Sequence, residues 1–300
     1  MSAPERPCDV CHQAPADWHI TEWAVHLCSG CLPRYFEKKV KTTLTSLEQI
    51  RRGERVMVGL SGGKDSAALL ATLKALQREL YFHLTAFYVD MGIPGYSAEC
   101  EAVVGQLCEA LRVPLEVLRL TDYGVRVEAV RKWPVCAVCG ICRRALITRE
   151  LTPDRCDVLA TGHTLEDQLQ YMVKHLISGR FWSPQPVLTA TEHLPRKAKP
   201  LFFIPEAATA AYCKVRQLPA VEATCPLFVP ESHNLKEVAE TLEQVAPGSK
   251  LIVLHNLRKL LGPRTEEQEW RSCADCGAPS PKPVCDLCLL RRDQQAPKTP

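Results

Sequence analysis

A chain of 300 residues, 46% hydrophobic and 24% charged, can form one substantial core with small appendages, or two domains. That balance excludes a disordered chain, and no apolar run approaches the ~18 residues of a membrane-spanning helix. A net charge of +3 is too mild to announce nucleic-acid binding by itself, although basic residues cluster at Arg51/Arg52/Arg55, Arg143/Arg144, Arg196/Lys197/Lys199 and Arg291/Arg292, each alone readable as solvated surface.

The opening "MSAPERPCDVC" lacks an apolar core, so no secretory signal is expected, and a reducing, cytoplasmic location without a membrane partner follows. Sixteen cysteines scattered at random would form about one Cys-x-x-Cys pair, whereas the chain holds six: Cys8/Cys11, Cys28/Cys31, Cys136/Cys139, Cys139/Cys142, Cys273/Cys276 and Cys285/Cys288. Two such knuckles close a tetrahedral thiolate shell, so Cys8, Cys11, Cys28 and Cys31 predict a structural zinc ribbon over residues 1–40. His12 or His26 as a substitute for one sulfur is the weaker alternative.

From residue 55 the pattern alternates short β-rich runs with helical periodicity. "RVMVGL" precedes a helix from Asp65, with Leu69, Leu73, Leu76 and Leu80 on its core face. "HLTAFYVD" precedes a helix from Ser97, "LEVLRL" a helix after Cys142, and "DVLATG" a helix from Thr164. This order predicts an α/β, Rossmann-like parallel sheet with ligands at the C-terminal strand ends. Cys100 and Cys108 lie in the apolar-periodic "SAECEAVVGQLCEALR" and read as inert core.

The loop "SGGKDS" ends the first strand and opens the first helix, where unpaired N–H groups and the helix dipole make an anion site. It is not a Walker A loop. Only three residues separate Gly59 from Gly63, and Lys64 is followed by Asp65. Further on, "WPVCAVCGICRRAL" offers three sulfurs and no second knuckle. Either Cys156, Cys213 or Cys225 supplies a fourth thiolate, or one coordination position stays open, as in reactive metal sites.

Residues 231–268 read as a helical connector packing between the core and a C-terminal ribbon. That ribbon, residues 269–292, holds a second zinc quartet, Cys273, Cys276, Cys285 and Cys288. The closing "RRDQQAPKTP" reads as a disordered basic tail, with residues 293–300 beyond the ribbon.

"SGGKDS" after a first strand resembles the PP-loop of the ATP pyrophosphatase superfamily. With "CAVCGICRR", "ATGHTLEDQ", "ATCP" and the two ribbons, residues 8–288 resemble the tRNA 2-thiolation enzymes that carry N- and C-terminal zinc ribbons. The resemblance implies a PP-loop domain over roughly residues 50–230. In it Ser61, Gly62, Gly63, Lys64, Asp65 and Ser66 hold ATP phosphates, and Asp90, Gly162 and His163 flank adenosine. It implies a [4Fe–4S] cluster on Cys136, Cys139 and Cys225, with persulfide transfer through a cysteine pair, or Cys142 as third ligand, as rivals. Arg143 would stabilise developing negative charge, and Asp167 would hold Mg2+ or assist proton movement. Thr164 and Glu166 depart from the family's common asparagine and aspartate, and Arg143 stands where some relatives have lysine. The implied activity is ATP-dependent tRNA-uridine 2-sulfur transfer, with tRNA and a sulfur donor, such as a ubiquitin-like carrier, as partners and a homodimer as a candidate assembly. A small-metabolite thiolase and a non-catalytic RNA-binding ribbon protein are the rival readings.

Overall fold

The computed structural model describes residues 6–130, 133–228, 235–263 and 269–295. A hairpin of β1 (Trp18–Ile20) and β2 (Val25–Leu27) precedes α1 (Leu32–Ser46). The α/β unit follows as β3 (Arg55–Leu60), α2 (Lys64–Leu80), β4 (His83–Asp90), α3 (Tyr96–Leu111), β5 (Leu115–Arg119), α4 (Val135–Glu150), β6 (Val158–Thr161) and α5 (Leu165–Ile177). It closes with β7 (Val187–Leu188), β8 (Arg196–Ala198) and α6 (Glu206–Arg216). Helices α7 (Leu235–Val245) and α8 (Ser249–Leu261) lead to the short β9 (Arg271–Ser272) and β10 (Pro279–Ser280) and to α9 (Asp286–Gln295).

The six-stranded sheet runs β5-β4-β3-β6-β8-β7, parallel except for the edge strand β7. From β3 the chain winds outward through β4 to β5, then returns to β6 on the other side of β3. That reversal is a topological switch point, which opens a crevice at the C-terminal ends of β3 and β6. Alternation sorts the strand residues: Val56, Val58, Leu60, Ala86 and Tyr88 face one apolar layer, and Met57, Phe87, Val89 and Leu159 the other. The first layer holds the predicted leucine face of α2 and, as expected, the buried Cys100 and Cys108.

The N-terminal ribbon does not end at residue 40. Helix α1 runs through that boundary to Ser46 and buries Phe36, Val40 and Leu44 in the sheet's own core, with Phe36 stacked on Tyr212 at 4.4 Å. Three other expectations need correction. First, α4 starts at Val135, so all three cysteines of "CAVCGIC" lie inside it instead of ahead of it. Pro134 at its N-cap supplies the start, since proline needs no N–H there. Second, α7 and α8 do not lie between the core and the C-terminal ribbon. Ala239 and Leu254 pack with Leu165, Leu169, Met172 and Phe202, against α5 and towards the N-terminal ribbon. The C-terminal ribbon instead covers α4, where Cys285, Leu287 and Leu290 share an apolar cluster with Val138, Cys142 and Leu146. Third, residues 291–295 continue α9, while the rest of the expected tail, 296–300, lies outside the described residues, as do 231–234 and 264–268 of the connector. No helix among the described residues is long and apolar enough to cross a membrane.

Candidate active-site cleft and metal centres

At the switch point the chain leaves β3 through Ser61, Gly62 and Gly63. Gly62 has φ +86°, and a Cβ there would lie 3.2 Å from Cys100 Cβ and Sγ, so only glycine fits. Gly63 is the N-cap of α2 and offers no side chain to the first-turn N–H groups, which leaves them for an anion. Internal bonds shape the loop: Ser66 Oγ donates to the Gly63 carbonyl at 2.9 Å, and the Ser61 N–H donates to Ser66 Oγ at 3.2 Å. From β6, Gly162 closes in so tightly that a Cβ would lie 3.1 Å from the Ser66 nitrogen. The resulting cleft of about 280 Å3 is lined by this loop, by Phe87 and Val89 of β4, by Gly162, His163 and Asp167, and by Arg143 of α4.

Charged groups ring the cleft. Lys64 Nζ lies 3.0 Å from Asp65 and 3.6 Å from Glu206. Lys236 bridges Glu206 and, at 3.0 Å, Asp167. Burial works against charge on Lys64, but Asp65 and Glu206 outweigh it and raise its affinity for a proton. Burial raises Asp65 above the usual carboxylate range, against bonds from Thr209 and Lys64. Asp167 goes the other way: burial opposes ionisation, yet Lys236 and the Thr164 N–H hold it below its ordinary value. Its Oδ2 accepts that N–H at 3.0 Å, forming a capping box that fixes the start of α5. His163, exposed at the cleft mouth, bonds Thr161 Oγ1 at 2.9 Å, and surrounding protein together with Lys199 lowers its affinity for a proton. Asp90 is not brought in. Its carboxylate accepts the Gly92 N–H at 2.7 Å, capping the turn after β4, and Val89 faces the cleft in its place.

The sulfurs of α4 diverge, because a spacing of three falls about 60° short of a helical turn. Cys136 is exposed, Cys139 half-buried and Cys142 fully buried. Burial pushes the Cys142 thiol up to about 12. Burial also raises Cys139, against the pull of Arg143 and with the help of Cys136 and Cys225, so these three thiols and Arg143 lie within electrostatic reach of one another. Cys225 and Cys139 both pack against the same apolar cluster. Cys156 is buried within that cluster, and Cys213 lies in the layer on the other face of the sheet, where its Sγ donates to the Lys64 carbonyl at 3.2 Å. Two thiols on one helix and a third within electrostatic reach, with an exposed side and a neighbouring cation, suit a cluster with one open position, and they do not close to the 4.8 Å of the terminal quartets.

Both terminal quartets converge, their sulfurs all within 4.8 Å. A tetrahedron of Zn–S bonds near 2.3 Å has edges of about 3.8 Å. The Cys11–Cys28 and Cys276–Cys285 sulfurs are 3.9 Å and 3.7 Å apart. The residues therefore fit a closed thiolate shell. His26 is not needed in it: its ring stacks on His19 at 4.0 Å and faces Asp9 at 3.6 Å.

Sequence reasoning missed Glu206, Lys236 and Lys250. Glu206 follows Pro205 at the first position of α6, a helix-start signal that marks an acid beside a dipole. Lys250 is buried with Nζ 3.0 Å from both Glu22 and Glu166 and 2.6 Å from Glu240. No local pattern pointed to it.

A parallel sheet whose first strand delivers a glycine loop to an uncapped helix N-terminus at the switch point defines a nucleotide-phosphate-binding α/β protein. More specifically, the PP-loop domain family matches residues 34–223, and the chain belongs to it. Among curated relatives it is 28% identical over 277 residues to the tRNA-5-methyluridine(54) 2-sulfurtransferase of Pyrococcus horikoshii, covering 88% of this chain and 87% of the relative. It is 28% identical over 312 residues to the cytoplasmic tRNA 2-thiolation protein 1 of Aspergillus niger, covering 99% and 91%. Among solved structures, the U34-tRNA thiolase NcsA of Methanococcus maripaludis with its [4Fe–4S] cluster superposes with a TM-score of 0.80 at 25% identity, covering 96% of each chain.

Proposed function

We propose that this protein is a cytoplasmic tRNA-uridine 2-sulfurtransferase that consumes ATP and forms AMP and pyrophosphate. The carrying observation is that one cleft joins the Ser61–Ser66 loop to Arg143, with the thiols of Cys136, Cys139 and Cys225 alongside. Near full-length likeness to tRNA thiolases supports the reading.

A uridine C2 carbonyl is a poor electrophile. Its oxygen attacks the α-phosphorus of ATP, pyrophosphate leaves, and the O-adenylated base then carries a good leaving group. The loop N–H groups and Lys64 bind the phosphates, with Gly162 and His163 beside the nucleotide. Arg143 faces the charge that develops at phosphorus and at the departing AMP oxygen, and as an arginine it acts by charge instead of by proton transfer. Asp167, held ionised, supplies a Mg2+ ligand or takes up a proton. A [4Fe–4S] cluster on Cys136, Cys139 and Cys225 supplies, when bound, an iron without a protein ligand for presenting sulfur. A zinc ion in each terminal quartet serves folding. A ubiquitin-like sulfur carrier as donor and a homodimer as working assembly belong to this proposal.

The test is tRNA-dependent pyrophosphate release with mass spectrometry of the product nucleosides. Reconstituted wild-type protein with sulfide should yield a 2-thiouridine, and Lys64→Ala should lose at least tenfold in AMP formation while keeping its iron–sulfur absorption. Wild-type protein that thiolates no tRNA nucleoside, or Lys64→Ala that releases pyrophosphate at the wild-type rate, refutes the assignment.

A further inference from the structure

Two of the basic clusters noted in the sequence, Arg143/Arg144 and Arg196/Lys197/Lys199, lie some fifty positions apart, yet the fold brings Arg144 and Lys197 together outside the ATP cleft. Arg143 lines the cleft, whereas Arg144, about 100° further round α4, turns into a separate cavity of about 200 Å3 between α4, β8 and the C-terminal ribbon. Lys197 of β8 and Arg149 enter the same cavity, and Trp270 forms part of its wall, its ring 5.6 Å from that of His193.

Among the described residues no carboxylate pairs with Arg144 or Lys197. The acid in the wall, Asp286, is engaged by Lys282 at 2.6 Å, and Arg149 by Glu150 at 3.4 Å. Burial and the charge of Arg144 both work against the proton on Lys197. Arg144 is exposed and Lys197 half-buried, so two like charges with no carboxylate partner among the described residues meet at one cavity, and an anion there would relieve their repulsion. The volume is below the ~300–1,000 Å3 typical of sites for whole small ligands. It suits one phosphate group with part of its nucleoside, as a polymer presents them.

We propose that Arg144, Lys197 and Trp270 form an RNA subsite that holds one backbone phosphate of the substrate and stacks an adjacent base. This deepens the tRNA-thiolase reading and rests on it. Arg143 and Arg144 diverge by about 100° round a helix of about 10 Å diameter, a chord of about 8 Å. At about 3.4 Å of rise per nucleotide of a strand, the held phosphate would lie roughly two to three nucleotides from the base being modified. Phosphate contact positions the strand without reading sequence, and stacking on tryptophan accepts any base. The subsite therefore fixes register while the cleft selects the uridine.

The experiment measures unmodified tRNA binding by fluorescence anisotropy across a salt series, with binding of a non-hydrolysable ATP analogue as control. Arg144→Gln/Lys197→Gln should raise the tRNA Kd about tenfold and flatten the slope of log Kd against log salt by about 0.7–0.9, the value for one lost phosphate contact. Trp270→Ala should weaken binding with the slope unchanged, and Lys197→Arg should retain it. ATP-analogue binding should match wild type throughout. Wild-type protein that binds no tRNA overturns the thiolase reading and this inference with it. Wild-type binding matched in Kd and slope by the double variant overturns the subsite alone. Loss of ATP-analogue binding in the double variant also overturns it, assigning the two cations to the fold or the cleft.

Discussion

Replacing Lys250 with methionine is the sharpest test of how the modules are joined. The ammonium is only 2% exposed and lies 3.0 Å from Glu22 of the N-terminal ribbon and from Glu166 of α5, themselves 4% and 2% exposed. Glu240 is 52% exposed and can turn to water, so the cost falls on the two buried acids. Removing one partner of a buried pair costs about 3–5 kcal/mol. At about 2–4 °C per kcal/mol for a large domain, the melting temperature should fall by roughly 6–20 °C. Because the penalty is uncompensated charge, adding Glu22→Gln and Glu166→Gln should recover most of it. The pH dependence has a fixed sign. Burial raises Glu166 even beside Lys250, so the folded state binds that proton more tightly than the unfolded chain does. The strain of its ionised form is relieved as pH falls through the raised value. Without Lys250 the value rises further, so the stability gap to wild type should narrow from about pH 8 towards about pH 5. Lys250 itself, raised through its acidic partners against burial, stays charged over that window. Urea unfolding of zinc-loaded protein at several pH values is the assay. A loss below about 1 kcal/mol, or a gap that widens in acid, refutes the reasoning.

Gly162→Ala would place a Cβ 3.1 Å from the Ser66 nitrogen and 3.2 Å from the Asp65 carbonyl group; backbone must yield, so the ATP-analogue Kd should rise at least tenfold, about 1.4 kcal/mol, by calorimetry. Cys8→Ser and Cys273→Ser should each cost the zinc of one quartet by metal analysis and lower the soluble yield; a soluble, zinc-replete variant that loses only turnover would contradict the structural assignment. Cys142→Ser should keep the iron–sulfur absorption after anaerobic reconstitution while Cys225→Ser loses it, and the reverse pattern would make Cys142 the ligand. In the apo protein, iodoacetamide should label the exposed Cys136 well before Cys142, whose buried thiol is pushed up to about 12, as peptide mass spectrometry can read.

The features legible in the sequence are those whose physics is local. "SGGKDS" carries its own turn and helix start, and each terminal quartet its own ligand spacing, so both stand where expected. The three cysteines of α4 show the limit. Spacing of three is shared by a metal knuckle and a helix, and the Pro134 start signal that separates them lies one residue upstream of the helix. Asp90 shows a different limit: a strand-end acid can face a ligand or cap its own turn, and its carboxylate accepts the Gly92 N–H while Val89 lines the cleft. Glu206 had only the helix-start signal of Pro205 to mark it, and Lys236 and Lys250 were beyond reach because their partners lie up to 228 positions away. A long polar side chain on a helix reads as solvated until the packing of another element removes the water.

The distant residues matter because they set the charge balance of the cleft. Among the described residues, Lys64 and Lys236 face Asp65, Glu206 and Asp167, Arg143 joins them from α4, and Lys199 acts on Asp167 and His163 from beside the ring, so most of the positive charge is met by carboxylates before any nucleotide arrives. A triphosphate entering this ring adds several negative charges, more than Arg143 and Lys199 alone can meet. Lys64 is 37% exposed in its pairs, and such pairs are worth about 1 kcal/mol or less, so its ammonium can leave Asp65 and Glu206 for phosphate at small cost. The carboxylates it leaves then repel the same phosphates. Bringing a divalent cation in with ATP removes that conflict, since the freed acids become ligands instead of opponents. The whole ring thus supports the Mg2+ proposed for Asp167, and the capping box that holds Asp167 in place would keep one proposed ligand fixed before the ion arrives.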